Sequence, residues 1–154
     1  MSRAFVKEAD ESAFEPLPER AISPHRNLVT SSGLAAMDAE IAHLRAAQSK
    51  ARAANDNDTL VRIARDLRYW SQRHASAQVQ PAPDDSGDVQ CGASVTIARA
   101  DGAEETYRIV GEDEADPAHG TISYVSPMAQ ALMGKSEGDR ARVAGKDVRI
   151  LRVA

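Results

Sequence analysis

A chain of 154 residues has room for one ordinary domain or two small ones, and aromatics at 4% of it are poor material for lining a small-molecule pocket. Cys91 is the only cysteine, which rules out an intramolecular disulfide and every two-cysteine metal or redox motif. A net charge of −4 argues against a general polyanion binder, and neither a signal core nor a run of ~18 apolar residues is present, so a cytoplasmic protein with no membrane contact is expected.

Residues 1–29 carry Pro16, Pro18 and Pro24, scattered acids and little periodicity, and read as an extended or disordered leader. From Thr30 the pattern turns helical. Leu34, Met37, Ile41 and Leu44 repeat at heptad spacing behind a run of capping hydroxyls, Thr30, Ser31 and Ser32. The stripe then fades through Gln48 and Ala51 until Asn55, Asp56, Asn57 and Asp58 mark a turn. A second stripe follows in Leu60, Ile63, Leu67, Trp70, His74 and Ala77. Two stripes joined by one short turn predict an antiparallel helical hairpin over residues 30–79, with Arg45, Lys50, Arg52, Arg62, Arg65, Arg68 and Arg73 mostly left to solvent. Trp70 falls on the stripe and is expected to pack near the stem.

Residues 80–88, with two prolines and a glycine among aspartates, read as a linker. Residues 89–154 are β-rich. Runs at 93–98 and 106–110 flank Asp101-Gly102, a strong hairpin signal. After an acidic loop at 111–120, residues 121–124 predict a third strand, Ser126-Pro127 the cap and first position of a short helix ending at Gly134, and Val143 and 148–153 two closing strands. The fold class expected is α+β: the hairpin plus a small antiparallel sheet with one short helix against it. Charge is uneven, with 7 basic and 5 acidic residues over 31–80 but 8 and 13 over 81–154.

Two stretches carry a family resemblance. ISYVSPMAQALMGKSEGD (residues 122–139), with YRIVG (107–111) before it, closely resembles the C-terminal domain of GreA/GreB transcription elongation factors. VTSSGLAAMDAEIAHL (29–44) is similar to the opening of that family's N-terminal coiled coil, with its T-x-x-G pattern. The resemblance implies a coiled-coil hairpin joined to a domain similar to FK506-binding proteins. It implies a non-enzymatic factor, expected to be monomeric, that docks at the rim of the RNA polymerase secondary channel, reaches down it with the hairpin tip, and meets nascent RNA or DNA only through the polymerase. In the family, two acidic tip residues help hold a Mg²⁺ ion of the polymerase while backtracked RNA is cleaved; no intrinsic cofactor is implied.

Carried over, Asp56 and Asp58 are the candidate tip carboxylates, with turn formation and capping as their plain alternative. Ser126, Pro127 and Met128 stand where the family contacts polymerase, and the same residues serve as a helix start. The family's tip motif is not reproduced between Lys50 and Arg68, the hairpin is shorter than typical by roughly two heptads per helix, or on the order of 20 Å of reach, and Val125 stands where Asp is common. A second role is therefore a non-cleaving, Rnk-like occupant of the channel that competes with cleavage factors. Two other classes are a peptidyl-prolyl isomerase, which residues 81–154 equip with only Tyr107 and Tyr124 as aromatics, and a coiled-coil adaptor for another protein.

Overall fold

The computed structural model describes residues 17–154; the leader expected at the N-terminus lies outside them over residues 1–16. Residues 17–27 carry neither helix nor strand, and the ordered elements begin with strand β1 (Leu28–Val29).

Helix α1 (Ser31–Ala53) starts where the hydroxyl run predicts. Thr30 is extended and its Oγ1 accepts the Gly33 amide at 3.0 Å. The helix ends in a Schellman motif. Asn55 takes the left-handed conformation (φ 51°), the Asn55 amide donates to the Arg52 carbonyl at 3.2 Å, and the Asp56 amide donates to the Ala51 carbonyl at 2.9 Å. Asn tolerates that conformation better than most residues. Helix α2 (Asn57–Ser76) follows at once, so the turn is tighter than the tetrad suggests: Asn57 and Asp58 already belong to α2. At ~1.5 Å per residue the two helices run about 35 and 30 Å.

Their seam is a narrow apolar cluster, Leu44, Ala51 and Ile63 flanked by Ala47, Leu60, Leu67 and Trp70. The expected fading of the α1 stripe does not open the hairpin, because Ala47 and Ala51 carry the contact towards the tip and Ala51 is buried. The base differs from expectation at two positions. His74, placed on the seam by its spacing, is exposed and pairs with Asp38 of α1 at 2.7 Å. Arg73, assigned to solvent, is 2% exposed. Near its C-terminus α2 turns its buried side away from α1 and towards the second half of the chain, so the stripe shifts by one residue.

Strand β2 (Gln78–Val79) pairs in parallel with β1. This ladder ties the chain entering the hairpin to the chain leaving it. Beyond it lies a five-stranded sheet in the order β5-β4-β3-β7-β6, built from β3 (Ser94–Arg99), β4 (Glu104–Val110), β5 (Thr121–Ser123), β6 (Arg140–Val143) and β7 (Lys146–Val153). Three of its interfaces are antiparallel, but β5 pairs with β4 in parallel. The wholly antiparallel sheet expected from sequence is corrected there, because the segment between them is long enough to carry the chain back to Arg108 and run it alongside the last three residues of β4 rather than reverse it in a tight turn. At the Asp101-Gly102 turn, by contrast, Gly102 has φ 85° and Asp101 accepts the Ala103 amide, as the hairpin signal predicts.

One face of the sheet is the core. Val95, Ile97, Ile109 and Ile150 point into it and are fully buried. Helix α3 (Pro127–Leu132) closes that face with Ala129 and Leu132, both fully buried. Among the described residues no helix packs over the opposite face.

Candidate functional site

The candidate residues and their supports lie in three places: the hairpin tip, the start of α3, and the joint that holds one relative to the other.

At the tip, Asp56 is the N-cap of α2. Its Oδ1 accepts the Thr59 amide at 3.2 Å and its Oδ2 the Thr59 hydroxyl at 2.6 Å. These bonds, with Arg62 nearby, hold its carboxyl below the usual range. Asp58 lies in the first turn, where a negative charge complements the helix dipole, and is exposed. Its side chain makes no hydrogen bond among the described residues. The structure thus brings both sequence-predicted carboxylates to the end of the hairpin, but commits one to capping and leaves the other open. Asp66, two turns along, is engaged by Arg20 at 3.5 Å and Arg65 at 3.3 Å and does not belong to the tip. No group of three or more His, Cys, Asp or Glu side chains among the described residues is arranged to hold a metal ion.

At the start of α3, Ser126 is extended and its Oγ accepts the Ala129 amide at 3.3 Å; Pro127 is the first helical residue and is exposed. Met128 and Val125 pack half-buried against the rim of the core. Ser126, Pro127 and Met128 therefore form one corner of the sheet unit. Ser126 has a full structural role there as a cap, while Pro127 presents its ring outward.

The joint is the part that sequence reasoning missed. The acidic segment read as a loop forms a short 3₁₀ turn, Glu112–Glu114, and each of its carboxylates reaches back to the hairpin or its entrance. Asp113 accepts from Arg73 Nε at 2.6 Å and from the Tyr69 hydroxyl. Glu112 accepts from Arg73 at 3.4 Å and from the Ser23 hydroxyl at 2.9 Å. Arg73 is completed by the Asn27 side-chain carbonyl at 2.8 Å, and the Asn27 amide donates to the Arg73 backbone carbonyl at 2.7 Å. Burial, reinforced by the Asp113 carboxylate, pushes the Tyr69 phenol up to about 12.

Glu114 makes a separate clasp. It accepts the Thr30 amide at 3.1 Å, the Thr30 hydroxyl, and the Gly111 amide at 3.0 Å. The carboxylate sits so close to the first turn of α1 that a Cβ at Gly33 would fall inside it. Thr30 and Gly33, the fixed points of the T-x-x-G pattern, are thus the two residues that let an acidic side chain reach the start of the helix. The available signal was a glycine in the first turn, where it is a poor helix former without a packing reason.

Residues 83–154 match the family model described as transcription elongation factor, GreA/GreB, C-term. Among curated proteins the chain is similar to the transcription elongation factor GreA of Hyphomonas neptunium, 61% identical over 57 residues, 36% of each chain. It is also similar to GreA of Desulfovibrio desulfuricans, 46% identical over 79 residues, 50% of this chain and 49% of the other. The matched segments span about a third to a half of these relatives. Among solved structures, GreA factor homolog 1 (Gfh1) of Thermus thermophilus aligns over 84% of this chain and 99% of its own at 17% identity with a TM-score of 0.41.

Proposed function

We propose that this chain, whose residues 83–154 match the GreA/GreB C-terminal family model and which is similar to GreA proteins over about a third to a half of its length, is a transcription elongation factor of that kind, which binds RNA polymerase at the secondary channel and regulates elongation without being an enzyme itself. The observation that carries this reading is a slim two-helix hairpin, about 30 Å long, mounted through a side-chain joint on a GreA/GreB C-terminal domain. The corner at Ser126, Pro127 and Met128 contacts the channel rim. The tip carries Asp56 and Asp58 towards the polymerase active centre, where their carboxylates support the polymerase's own Mg²⁺ during cleavage of backtracked RNA.

A second reading has a specific observation in its favour. Both Asp56 oxygens accept bonds from Thr59, which fixes that carboxylate at the α2 cap, whereas the exposed Asp58 side chain accepts no hydrogen bond among the described residues and is the freer of the two to reach a metal. On that reading the hairpin occupies the channel and competes with cleaving factors. Halted, backtracked complexes decide between the two. Under the first, wild type stimulates cleavage and Asp56→Ala/Asp58→Ala reduces it to the level without factor while polymerase binding is retained. Under the second, wild type leaves the transcript intact at saturation and blocks a cleaving factor, and the double variant behaves identically. A folded protein that does neither removes both.

A further inference from the structure

The last two strands carry a charge pattern that neither the fold nor the proposed function uses. Residues 140–154 hold Arg140, Arg142, Lys146, Arg149 and Arg152 against Asp147 alone, in a chain whose net charge is −4. Val148 and Ile150 of β7 and Ala141 of β6 are buried, so the alternation of a strand turns Arg140, Arg142 and Arg149 to the face opposite α3. Arg152 joins them beyond the bulge opposite Thr96 and Ile97. All four are exposed.

Arg140 and Arg149 are direct cross-strand partners. Like charges in that position destabilise a sheet. Neither they nor Arg152 make an ion pair among the described residues, and Arg142 reaches Asp147 only at 4.0 Å with both side chains largely exposed. Protection of a sheet edge explains charge on β6, which is the edge strand. It does not explain Arg149 or Arg152, because β7 is paired on both sides.

We infer that this arginine-lined face of β6 and β7 is a binding surface for the phosphate backbone of duplex nucleic acid. The partner follows from what the face holds and what it lacks. Protein interfaces draw their energy from buried aromatic and apolar anchors, and the one large apolar side chain exposed on these strands is Leu151 at 37%. Single-strand binding relies on aromatic platforms, and β6 and β7 contain no aromatic residue. A row of guanidinium groups on one sheet face, with Arg140, Arg149 and Arg152 free of ion pairs among the described residues, matches a line of phosphates and reads no sequence. The acidic remainder of the chain confines the contact to this face.

The test is fluorescence anisotropy of a labelled duplex with the full chain across a salt titration. Wild type should bind without sequence preference, with a slope of log K against log salt of about −3 for three phosphate contacts. Arg140→Gln/Arg149→Gln should reduce that slope by about 2 and weaken binding equally on every sequence. The melting temperature of the double variant should be unchanged or raised, since the substitution relieves a like-charge pair. The inference is overturned if wild type shows no salt-dependent binding, if the variant binds as wild type does, if polyglutamate competes better than duplex, or if the variant melts several degrees lower. None of these results depends on polymerase binding.

Discussion

Arg73→Ala is expected to lower the free energy of unfolding by about 3–5 kcal/mol, the cost of removing one partner from a buried ion pair. Urea denaturation measures it as a fall in midpoint at unchanged slope. The size of the effect follows from what is left behind. The Arg73 guanidinium is 2% exposed and donates to Asp113, Glu112 and Asn27. Without it Asp113 keeps only the Tyr69 hydroxyl and Glu112 only the Ser23 hydroxyl as side-chain donors among the described residues, with 11% and 20% of their side chains exposed to water. Arg73→Met, which fills the space but leaves the same carboxylates unpaired, should be nearly as costly. If either substitution costs less than about 1 kcal/mol, the value of an exposed pair, the joint is solvated and does not set the hairpin's angle.

Gly33→Ala is expected to destabilise by about 2–4 kcal/mol, although alanine is the better helix former by about 1 kcal/mol. The new methyl must displace the Glu114 carboxylate, which is held by Thr30 and Gly111. Hydrogen bonds to a charged group contribute about 1.5–3 kcal/mol each, and losing two of them outweighs the gain in propensity. A double-mutant cycle isolates the cause. In a Glu114→Ala background, Gly33→Ala should be neutral or stabilising, because nothing then occupies the methyl's place. Additive losses would mean that the glycine serves some other purpose.

These two sites show where the sequence stops being legible. Periodicity located both helices because each seam residue repeats within a few positions of the last, and local chemistry located the caps at Thr30, Asp56 and Ser126 because each bonds an amide three residues on. Asp101-Gly102 announced its turn in the same way. The joint has no such local signature. Arg73 and Asp113 are 40 residues apart, Thr30 and Glu114 are 84 apart, and Glu112, Asp113 and Glu114 look like any solvated acidic loop until the fold sets them against the hairpin. The spacing of Arg73 puts it beside the seam and predicts exposure, and only a second partner beyond α1 makes that side of α2 an interior. The parallel placement of β5 was hidden for a related reason: strand signals locate strands, whereas direction depends on where the intervening loop returns the chain.

The positions of the candidate residues in the fold are legible in part. Asp56 and Asp58 both lie at the end of the hairpin, and Ser126, Pro127 and Met128 form one corner of the sheet unit in which only Pro127 is exposed. The commitment of Asp56 to Thr59 could be anticipated only as one of two roles, since the same aspartate that suits a metal also suits a cap.

A photocrosslinking residue in place of Asp58, at the exposed end of the hairpin, tests the central claim most directly. With core RNA polymerase it should crosslink within the secondary channel, near the active centre. Crosslinks confined to the outer surface of a bound polymerase, or none to a polymerase that a second probe beside Pro127 also fails to capture, would contradict it.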